Sequence, residues 1–316
     1  MYIPEKVKFI IETLMAVGYD AYAVGGCVRD SLLNKSPEDW DITTSAKPDV
    51  IKSLFKKTID TGIKHGTITV LLQGEHFEVT TYRIDGEYEK NRRPKHVEFT
   101  SSLIEDLKRR DFTINAMAYN PSHGLVDEFQ SKADLEHKTI RCVGDPNERF
   151  NEDALRILRA LRFSAQLGFE IEDKTKEAIK ANAHLLQNIS AERIQVELTK
   201  LITSPRPGTL ILAYELGVTK VILPEFDLCM ATEQNNKYHL YNVGEHSIKA
   251  MEHIRSSPIL RWTMLLHDMG KPHTKTVDEN QVDHFYRHQL RSKDIGKSIL
   301  LRLKMDCNTI DKVTRL

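Results

Sequence analysis

The sequence predicts an α/β amino-terminal region followed by an all-α remainder. Short apolar runs bounded by glycine recur as far as Gly144-Asp145-Pro146, which is typical of strands that alternate with helices. Beyond that point the strand pattern fades and apolar residues recur at helical spacing. We therefore place an α/β domain over residues 1–145 and expect helices from residue 146 onward.

The length of 316 residues predicts two or three domains. Basic and acidic residues number 45 each, so the formal net charge is zero. A balanced total does not exclude a nucleic-acid partner, because binding needs a local basic patch. Three clusters qualify, although each is equally typical of a solvated face: Arg92, Arg93 and Lys95; Lys108, Arg109 and Arg110; Arg156, Arg159 and Arg162.

The four cysteines are scattered and none has CxxC spacing, which predicts free thiols and a cytoplasmic location. No apolar run approaches the roughly 18 residues of a membrane span, so we expect no membrane partner. The sequence leaves the oligomeric state open.

Local signals place the elements of the α/β domain in order. Pro4 and Gly18 bracket a predicted helix over residues 5–17. Gly74 marks a hairpin turn, and Ser102 with Glu105 forms a predicted capping box. Strands are predicted at residues 21–24, 39–44, 67–72, 76–82, 124–129 and 139–143, and further helices at 27–33, 48–55 and from 103.

The double glycine Gly25-Gly26 separates the first strand from the following helix. Glycine lets a backbone approach a ligand closely, and the N–H groups of a helix N-terminus favour anions. This arrangement predicts a phosphate cradle, although packing in a tight turn explains a double glycine equally well.

Asp39-Trp40-Asp41-Ile42 alternates acidic and apolar residues. On a strand, Asp39 and Asp41 would share one face while Trp40 and Ile42 point to the core. Two close carboxylates repel unless a cation separates them, and their oxygens suit Mg²⁺, which supports phosphoryl transfer. An exposed acidic strand end is the alternative; the neighbouring phosphate cradle favours the metal site.

These residues resemble the signature of class II tRNA nucleotidyltransferases and bacterial poly(A) polymerases. The similarity covers about residues 20–200, with four motifs in the family's order. The motifs are GGCVRD at 25–30 with Asp39-x-Asp41, RRDFTIN at 109–115, EDALR at 152–156, and AERI at 191–194.

The resemblance implies a polymerase-β-like nucleotidyltransferase head, followed by a helical neck and body over residues 146–225. This family joins CTP or ATP to the 3′-hydroxyl of an RNA and releases pyrophosphate. The resemblance implies that Asp39 and Asp41 hold the metal. The expected nucleotide-binding residues are Gly25, Gly26, Arg29, Arg110 and Asn115, with Asp153 and Arg156 for base selection and Arg159 and Arg162 from the same basic cluster.

Asp153 and Arg156 predict a selection rule that needs no template. On a helical wheel they lie together, opposite the arc of Ala154, Leu155 and Leu158. A carboxylate accepts from an exocyclic amine and a guanidinium donates to a ring acceptor, a pattern that C and A share and that U and G reverse. A surface ion pair is the alternative.

Two segments bear on whether the chain can add the terminal A. Residues 82–94 are polar and contain glycine, which predicts a mobile loop; the family has a similar loop, which CC-adding members lack. Relatives usually carry glycine after the position of Phe129, where this chain has Gln130-Ser131-Lys132. The resemblance implies a hinge there, and the missing glycine puts the ease of switching from C to A in doubt.

Residues 226–316 resemble the HD phosphohydrolase pattern in His246 and in His267-Asp268 before Gly270. Imidazole and carboxylate suit a second divalent metal. A full site needs a later aspartate, so we expect an HD-like helical region that is truncated at Leu316. A vestigial or RNA-facing helical domain is the alternative.

The leading hypothesis is Mg²⁺-dependent addition of C, C and A to the tRNA 3′ end from CTP and ATP. Within the same class, a poly(A) polymerase or an A-adding-only enzyme remains open. An HD-type metal-dependent phosphohydrolase represents a different class, and a non-catalytic RNA-binding module a third.

Overall fold

The computed structural model describes residues 1–86, 96–235 and 240–315, together with the backbone of 88–89 and 93–94. Within it the chain forms two compact units, Met1–Glu152 and Asp153–Leu316. The first unit therefore ends seven residues after the predicted boundary at 145. The further boundary predicted near residue 225 stays a prediction.

The first unit combines strands and helices, as its sequence predicts. Its helices are α1 (Glu5–Ala16), α2 (Gly26–Leu32), α3 (Pro48–Leu54), α4 (Leu103–Lys108), α5 (Ser131–Glu136) and α6 (Pro146–Glu152). Its strands are β1 (Ala21–Val24), β2 (Asp41–Thr44), β3 (Thr58–Gly62), β4 (Thr67–Leu72), β5 (Glu75–Thr81), β6 (Arg83–Asp85), β7 (Tyr88–Glu89), β8 (Arg93–Pro94), β9 (Val97–Phe99), β10 (Ala118–Asn120), β11 (Gly124–Val126) and β12 (Thr139–Ile140).

Seven of these strands form one mixed sheet in the order β11-β10-β1-β2-β5-β4-β3. β2 and β5 run parallel, whereas the other neighbours in this sheet run antiparallel. All four residues of β1 are buried, and α1 buries its apolar stripe of Val7, Ile10, Ile11 and Leu14. The sheet therefore places the end of β1 beside the start of β2, where the candidate site lies.

The second unit is mainly helical, which confirms the predicted change of fold class. Its helices are α7 (Leu155–Leu167), α8 (Asp173–Asn182), α9 (Ala191–Ile202), α10 (Thr209–Glu215), α11 (Thr219–Ile222), α12 (Pro224–Met230), α13 (Val243–His253), α14 (Pro258–Leu266), α15 (Lys271–Thr274), α16 (His288–Arg302) and α17 (Cys307–Arg315). Its strands are β13 (Glu170–Ile171), β14 (Lys275–Val277) and β15 (Asp283–Phe285).

Several predicted bounds need correction. The strand predicted from residue 39 begins at Asp41, and the one predicted over 139–143 is the two-residue β12. The predicted loop over 82–94 opens as a strand, because β6 pairs antiparallel with β9. Residues 87 and 90–92 of that loop, the side chains of 88–89 and 93–94, and Lys95 lie outside the described residues, and with them the predicted basic cluster of Arg92, Arg93 and Lys95.

Candidate active site

The double glycine forms a turn that requires glycine at its first position. Gly25 has φ +79° and ψ −127°, a conformation that residues with a side chain rarely adopt. Its N–H donates to the carbonyl of Met117 at 3.1 Å, and α2 begins at Gly26. The turn therefore joins β1 directly to a helix N-terminus, as the sequence predicts.

Arg110 lies against this turn. A β-carbon placed on Gly25 would lie 3.0 Å from Nη1 of Arg110, so glycine makes room for the guanidinium. Nη2 of Arg110 lies 3.4 Å from Oδ2 of Asp106, while the buried Nε has no hydrogen-bond partner among the described residues. The turn thus sits beside a cation that is suited to phosphate.

Three carboxylates line one cavity of about 450 Å³. Asp39 and Asp41 were predicted to share one face of a strand; they line this cavity together, and Glu78 lines it from β5. Asp41 and Glu78 are paired residues in the parallel register of β2 and β5, so their side chains leave the same face of the sheet. Carboxylate oxygens are the ligands that a hard divalent cation prefers.

Trp40 corrects the predicted alternation. It is only half-buried and lines the same cavity as the two aspartates, because the strand begins one residue later at Asp41. Ile42 is buried as predicted, but Thr43 and Thr44 are buried as well, so exposed and buried residues do not alternate along β2.

The acidic cavity lies close to the double-glycine turn. Sγ of Cys27, one residue after the turn, is 3.9 Å from the carbonyl oxygen of Asp41. Desolvation raises the pKa of Asp41; Arg110 opposes this shift, and the negative charges of Glu78 and Asp39 add to it. A cation in the cavity would relieve that repulsion.

Arg29 is buried and makes contacts within the protein. Its Nε and Nη2 donate to the carboxylate of Asp30 at 2.8 and 2.9 Å, and its Nη1 donates to Oδ1 of Asn115 at 2.7 Å. Nδ2 of Asn115 in turn donates to Asp111 at 3.3 Å. The structure therefore links two residues that were predicted to bind nucleotide, Arg29 and Asn115, in one network.

Asp106 is a fully buried acid of α4 whose carboxylate accepts hydrogen bonds from β2 and from the arginine that follows α4. Its carboxylate accepts from Nε and Nη2 of Arg109 at 3.0 and 2.7 Å, and from the hydroxyl of Thr43 at 3.2 Å. Although burial would raise it, Arg109 and Arg110 hold the pKa of Asp106 below its usual value. No sequence motif singled out this residue.

The prediction that Asp153 and Arg156 lie on one helix is wrong. Helix α7 begins at Leu155, so Asp153 precedes it, and its Oδ1 accepts from the N–H of Leu155 at 3.1 Å. The carboxylate of Asp153 also binds Arg193, whose Nη1 and Nη2 lie 3.3 and 2.7 Å away. Arg156 is 8% exposed.

Arg159 and Arg162 both contact a buried acid of α9. Nε of Arg162 lies 2.5 Å from Oε2 of Glu197, and Nη1 of Arg159 lies 3.9 Å from Oε1. The guanidinium of Arg162 also stacks on Phe163, 3.9 Å from the ring centroid. Their predicted contact with nucleotide stays a prediction.

The second unit brings His246, His267 and Asp268 together, as the resemblance to the HD pattern implied. One ligand atom of each lies within 4.8 Å of the others. His246 lies on α13, and His267 and Asp268 follow the end of α14. This candidate metal site offers two imidazoles and one carboxylate, whereas the acidic cavity offers three carboxylates.

The state of the cysteines agrees with the free thiols that the sequence predicts. All four cysteines are free; Cys307 is exposed and the other three are buried. Among the described residues, no helix combines the length and the apolar character needed to cross a membrane.

Two protein families match this chain. Residues 21–141 match the poly A polymerase head domain, and residues 168–230 match the probable RNA and SrmB-binding site of polymerase A. The first match contains both the double glycine and the three acids of the cavity.

Named relatives extend the match over almost the whole chain. The chain is 41% identical to the CCA-adding enzyme of Pediococcus pentosaceus and 40% identical to that of Levilactobacillus brevis, covering 96% and 95% of this chain and 73% and 72% of those proteins. The crystal structure of the Bacillus stearothermophilus CCA-adding enzyme in complex with CTP matches with a TM-score of 0.75 and 36% identity, over 100% of this chain and 69% of that one. The chain therefore belongs to the family of the CCA-adding enzymes.

Proposed function

We propose that this chain adds C, C and A to the 3′ end of tRNA, using CTP and ATP and releasing pyrophosphate. The observation that carries the proposal is the cavity that Asp39, Asp41 and Glu78 line close to the turn at Gly25. Its relatives bear the name CCA-adding enzyme, and one of them is known in complex with CTP.

The proposed metal is Mg²⁺, which the three carboxylates of the cavity would hold. Their oxygens fit such an ion, and they carry a charge that needs one. A bound divalent ion would lower the pKa of the attacking hydroxyl and neutralise charge on the departing pyrophosphate.

The residues around the turn have separate proposed roles. Gly25 and Gly26 let the triphosphate approach the backbone, and Arg110 supplies positive charge beside it. Arg29 is largely buried, so we assign it the positioning of Asn115, which would meet the sugar. The 3′-hydroxyl of the RNA would attack the α-phosphate, and the bond to pyrophosphate would break.

Nucleotide choice is assigned to Asp153 and Arg156. Arg193 holds the Asp153 carboxylate through both of its oxygens, which fixes its direction and leaves lone pairs to accept from an exocyclic amine. C and A offer that amine, whereas U and G offer an acceptor in its place.

We also place the chain in the cytoplasm, in keeping with its free thiols.

Incubation with tRNA that lacks CCA tests the proposal. CTP alone should extend the tRNA by two residues, ATP alone by none, and both together by three. A chain that incorporates no C in the presence of CTP is not a CCA-adding enzyme. Extension by A alone on tRNA ending in CC would identify an A-adding enzyme, and long runs of A a poly(A) polymerase.

Arg156→Ala tests base selection. We expect U and G incorporation to rise relative to C and A, because the ring acceptor loses its donor. Competition assays with mixed nucleotides measure the ratio, and Lys200→Ala, an exposed residue of α9, is the control. A ratio that Arg156→Ala leaves unchanged contradicts the base-reading role.

A further inference from the structure

The acidic cavity of the first unit extends beyond its three carboxylates. Five further residues, which are aromatic, aliphatic or hydroxylated, line it as well: Trp40, Ile59, Thr61, Thr69 and His76. The metal and the triphosphate are assigned to other side chains. The cavity of about 450 Å³ holds far more than an ion, since one water occupies about 30 Å³ of the liquid. This wall of the cavity is therefore available to a second part of the substrate.

One row of paired residues connects the carboxylates to the far side of the cavity. Asp41 of β2 pairs with Glu78 of β5, and Glu78 pairs in turn with Thr69 of β4. Thr69 pairs with Ile59 of β3. His76 lies two residues before Glu78, about 7 Å along β5 and on the same face. Since paired residues share a face, one surface of the sheet continues from the proposed metal site to this wall.

This part of the sheet is open to solvent. Ile59 is 45% exposed, His76 is exposed and Trp40 is half-buried. A single exposed isoleucine is ordinary on a solvated strand. An indole and an imidazole that line the same cavity as the isoleucine add two flat rings, and nucleic-acid bases stack on such rings in RNA-binding proteins. The composition of the wall therefore suits a nucleobase.

The charge of the cavity selects the part of the substrate that fits it. None of the described residues that line it is a lysine or an arginine, whereas three are acids. Phosphate groups need positive charge, which Arg110 supplies beside the turn at Gly25. The base and sugar at the 3′ end of an RNA are neutral, and this end terminates in a hydroxyl. These groups match a wall without cations better than a triphosphate does.

We propose that Trp40, Ile59 and His76 form the subsite for the terminal nucleoside of the acceptor RNA, an assignment that rests on the proposed transfer to the 3′ end of tRNA. The attacking hydroxyl must come within ~3–3.5 Å of the phosphorus, so the nucleoside that carries it has to lie beside the carboxylates. A base stacked on this wall would bring its own sugar there. Stacking tolerates every base because each has a π-face, which suits an acceptor end that changes as C, C and A are added.

His76→Ala tests the stack without replacing a carboxylate. We expect kcat/KM for tRNA to fall by roughly 5–150-fold, which is the worth of stacking one base. KM for CTP should stay unchanged, because the triphosphate is assigned to the turn at Gly25. Steady-state assays on tRNA that lacks CCA measure both constants. His65→Ala is the matched control, since His65 is an exposed histidine of the same unit that does not line the cavity.

His76→Tyr separates stacking from the other chemistry of histidine. The phenol keeps a flat ring on which a base can stack, but it offers no imidazole nitrogen to a metal or a proton. We therefore expect His76→Tyr to restore most of the kcat/KM that His76→Ala loses. Trp40→Phe should likewise retain more activity than Trp40→Ala.

A fluorescent base reports the stack without any turnover. A tRNA that lacks CCA and ends in a 3′-deoxy nucleoside of 2-aminopurine can bind but has no hydroxyl to react, and stacking quenches its emission. At saturating protein, wild type, His65→Ala and His76→Tyr should quench the emission, whereas His76→Ala and Trp40→Ala should leave more of it. Circular dichroism verifies that each variant is folded.

The proposal is overturned by His76→Ala that matches His65→Ala both in kcat/KM for tRNA and in emission. It is also overturned by His76→Tyr that is as defective as His76→Ala, because the imidazole nitrogens and not the ring would then be needed. Quenching by a wild-type chain that incorporates no C would instead contradict the proposed transferase function and support the subsite.

Discussion

Asp41 and Glu78 occupy paired positions on the parallel strands β2 and β5, and both side chains line the same cavity. Glu78 stands 37 positions further along the chain than Asp41, in a strand whose sequence looks like half of an ordinary hairpin. The pairing turns a two-acid motif into a three-acid site.

Glu78→Gln should slow nucleotide transfer by on the order of 10²-fold, because it removes one of the charged oxygen ligands proposed for the metal. Single-turnover incorporation of CTP into tRNA measures the rate. Glu75→Gln is the matched control, since Glu75 is exposed at the start of the same strand. Equal rates in the two variants would remove Glu78 from the site.

Asp41→Ala should abolish transfer and leave the affinity for tRNA nearly unchanged. Asp41 is assigned to the metal, whereas RNA affinity depends on phosphate contacts that weaken steeply with salt. Incorporation assays and filter binding at two salt concentrations separate the two effects. A parallel loss of transfer and of tRNA affinity would argue that the residue has a structural role.

Asp106→Asn should destabilise the chain by about 3 kcal/mol, because it leaves buried guanidinium groups without their counter-charge. The low pKa of Asp106 means that its stabilising charge is present above about pH 4, the value for an unfolded aspartate, and is lost as the pH falls through the lower folded pKa. Urea unfolding of both proteins at neutral and acidic pH measures the difference.

The difference between wild type and Asp106→Asn should therefore shrink in acid. Asp127→Asn is a useful comparison, because that carboxylate accepts from the backbone N–H groups of Ser131 at 2.7 Å and of Lys132 at 2.9 Å. A stability loss for Asp106→Asn that stays constant with pH would contradict the assigned charge.

Gln130→Gly should raise the free energy of unfolding by about 0.5–1 kcal/mol. Gln130 has φ +58° and ψ +32°, a left-handed conformation in which a side chain is strained and glycine is not. Chemical denaturation measures the gain, and Gln130→Ala, which keeps a β-carbon, should show none. A destabilised glycine variant would mean that the side chain of Gln130 makes a contact worth more than the strain.

The left-handed conformation at Gln130 lies where the family resemblance implies a hinge. This chain has a backbone there that favours glycine, with glutamine in its place. The Gln130→Gly variant therefore also tests how readily the site switches from C to A, measured as the ratio of the rates at which A and C are incorporated.

Local patterns predicted much of the head. The helix that follows Pro4, the hairpin at Gln73-Gly74 and the N-cap of Ser102 on α4 lie where the sequence places them. Each depends on residues within a few positions of one another, through side-chain periodicity, a turn of positive φ or a single capping hydrogen bond.

The prediction of the nucleotide-selecting helix shows where such patterns stop. The apolar arc of α7 is buried as expected, yet the helix begins at Leu155 and leaves Asp153 outside it. A helical wheel assumes that the helix continues through every residue it includes, so it could not show that Asp153 caps α7 and binds Arg193.

The sequence by itself determined the glycine turn, the two acids around Trp40 and the change from an α/β head to helices, because each is written in neighbouring residues. Only the tertiary structure decided that Glu78 pairs with Asp41 and that Arg193 binds Asp153. Strand pairing and helix packing join residues far apart in the chain, and the spacing within one segment carries no record of which distant segment will lie beside it.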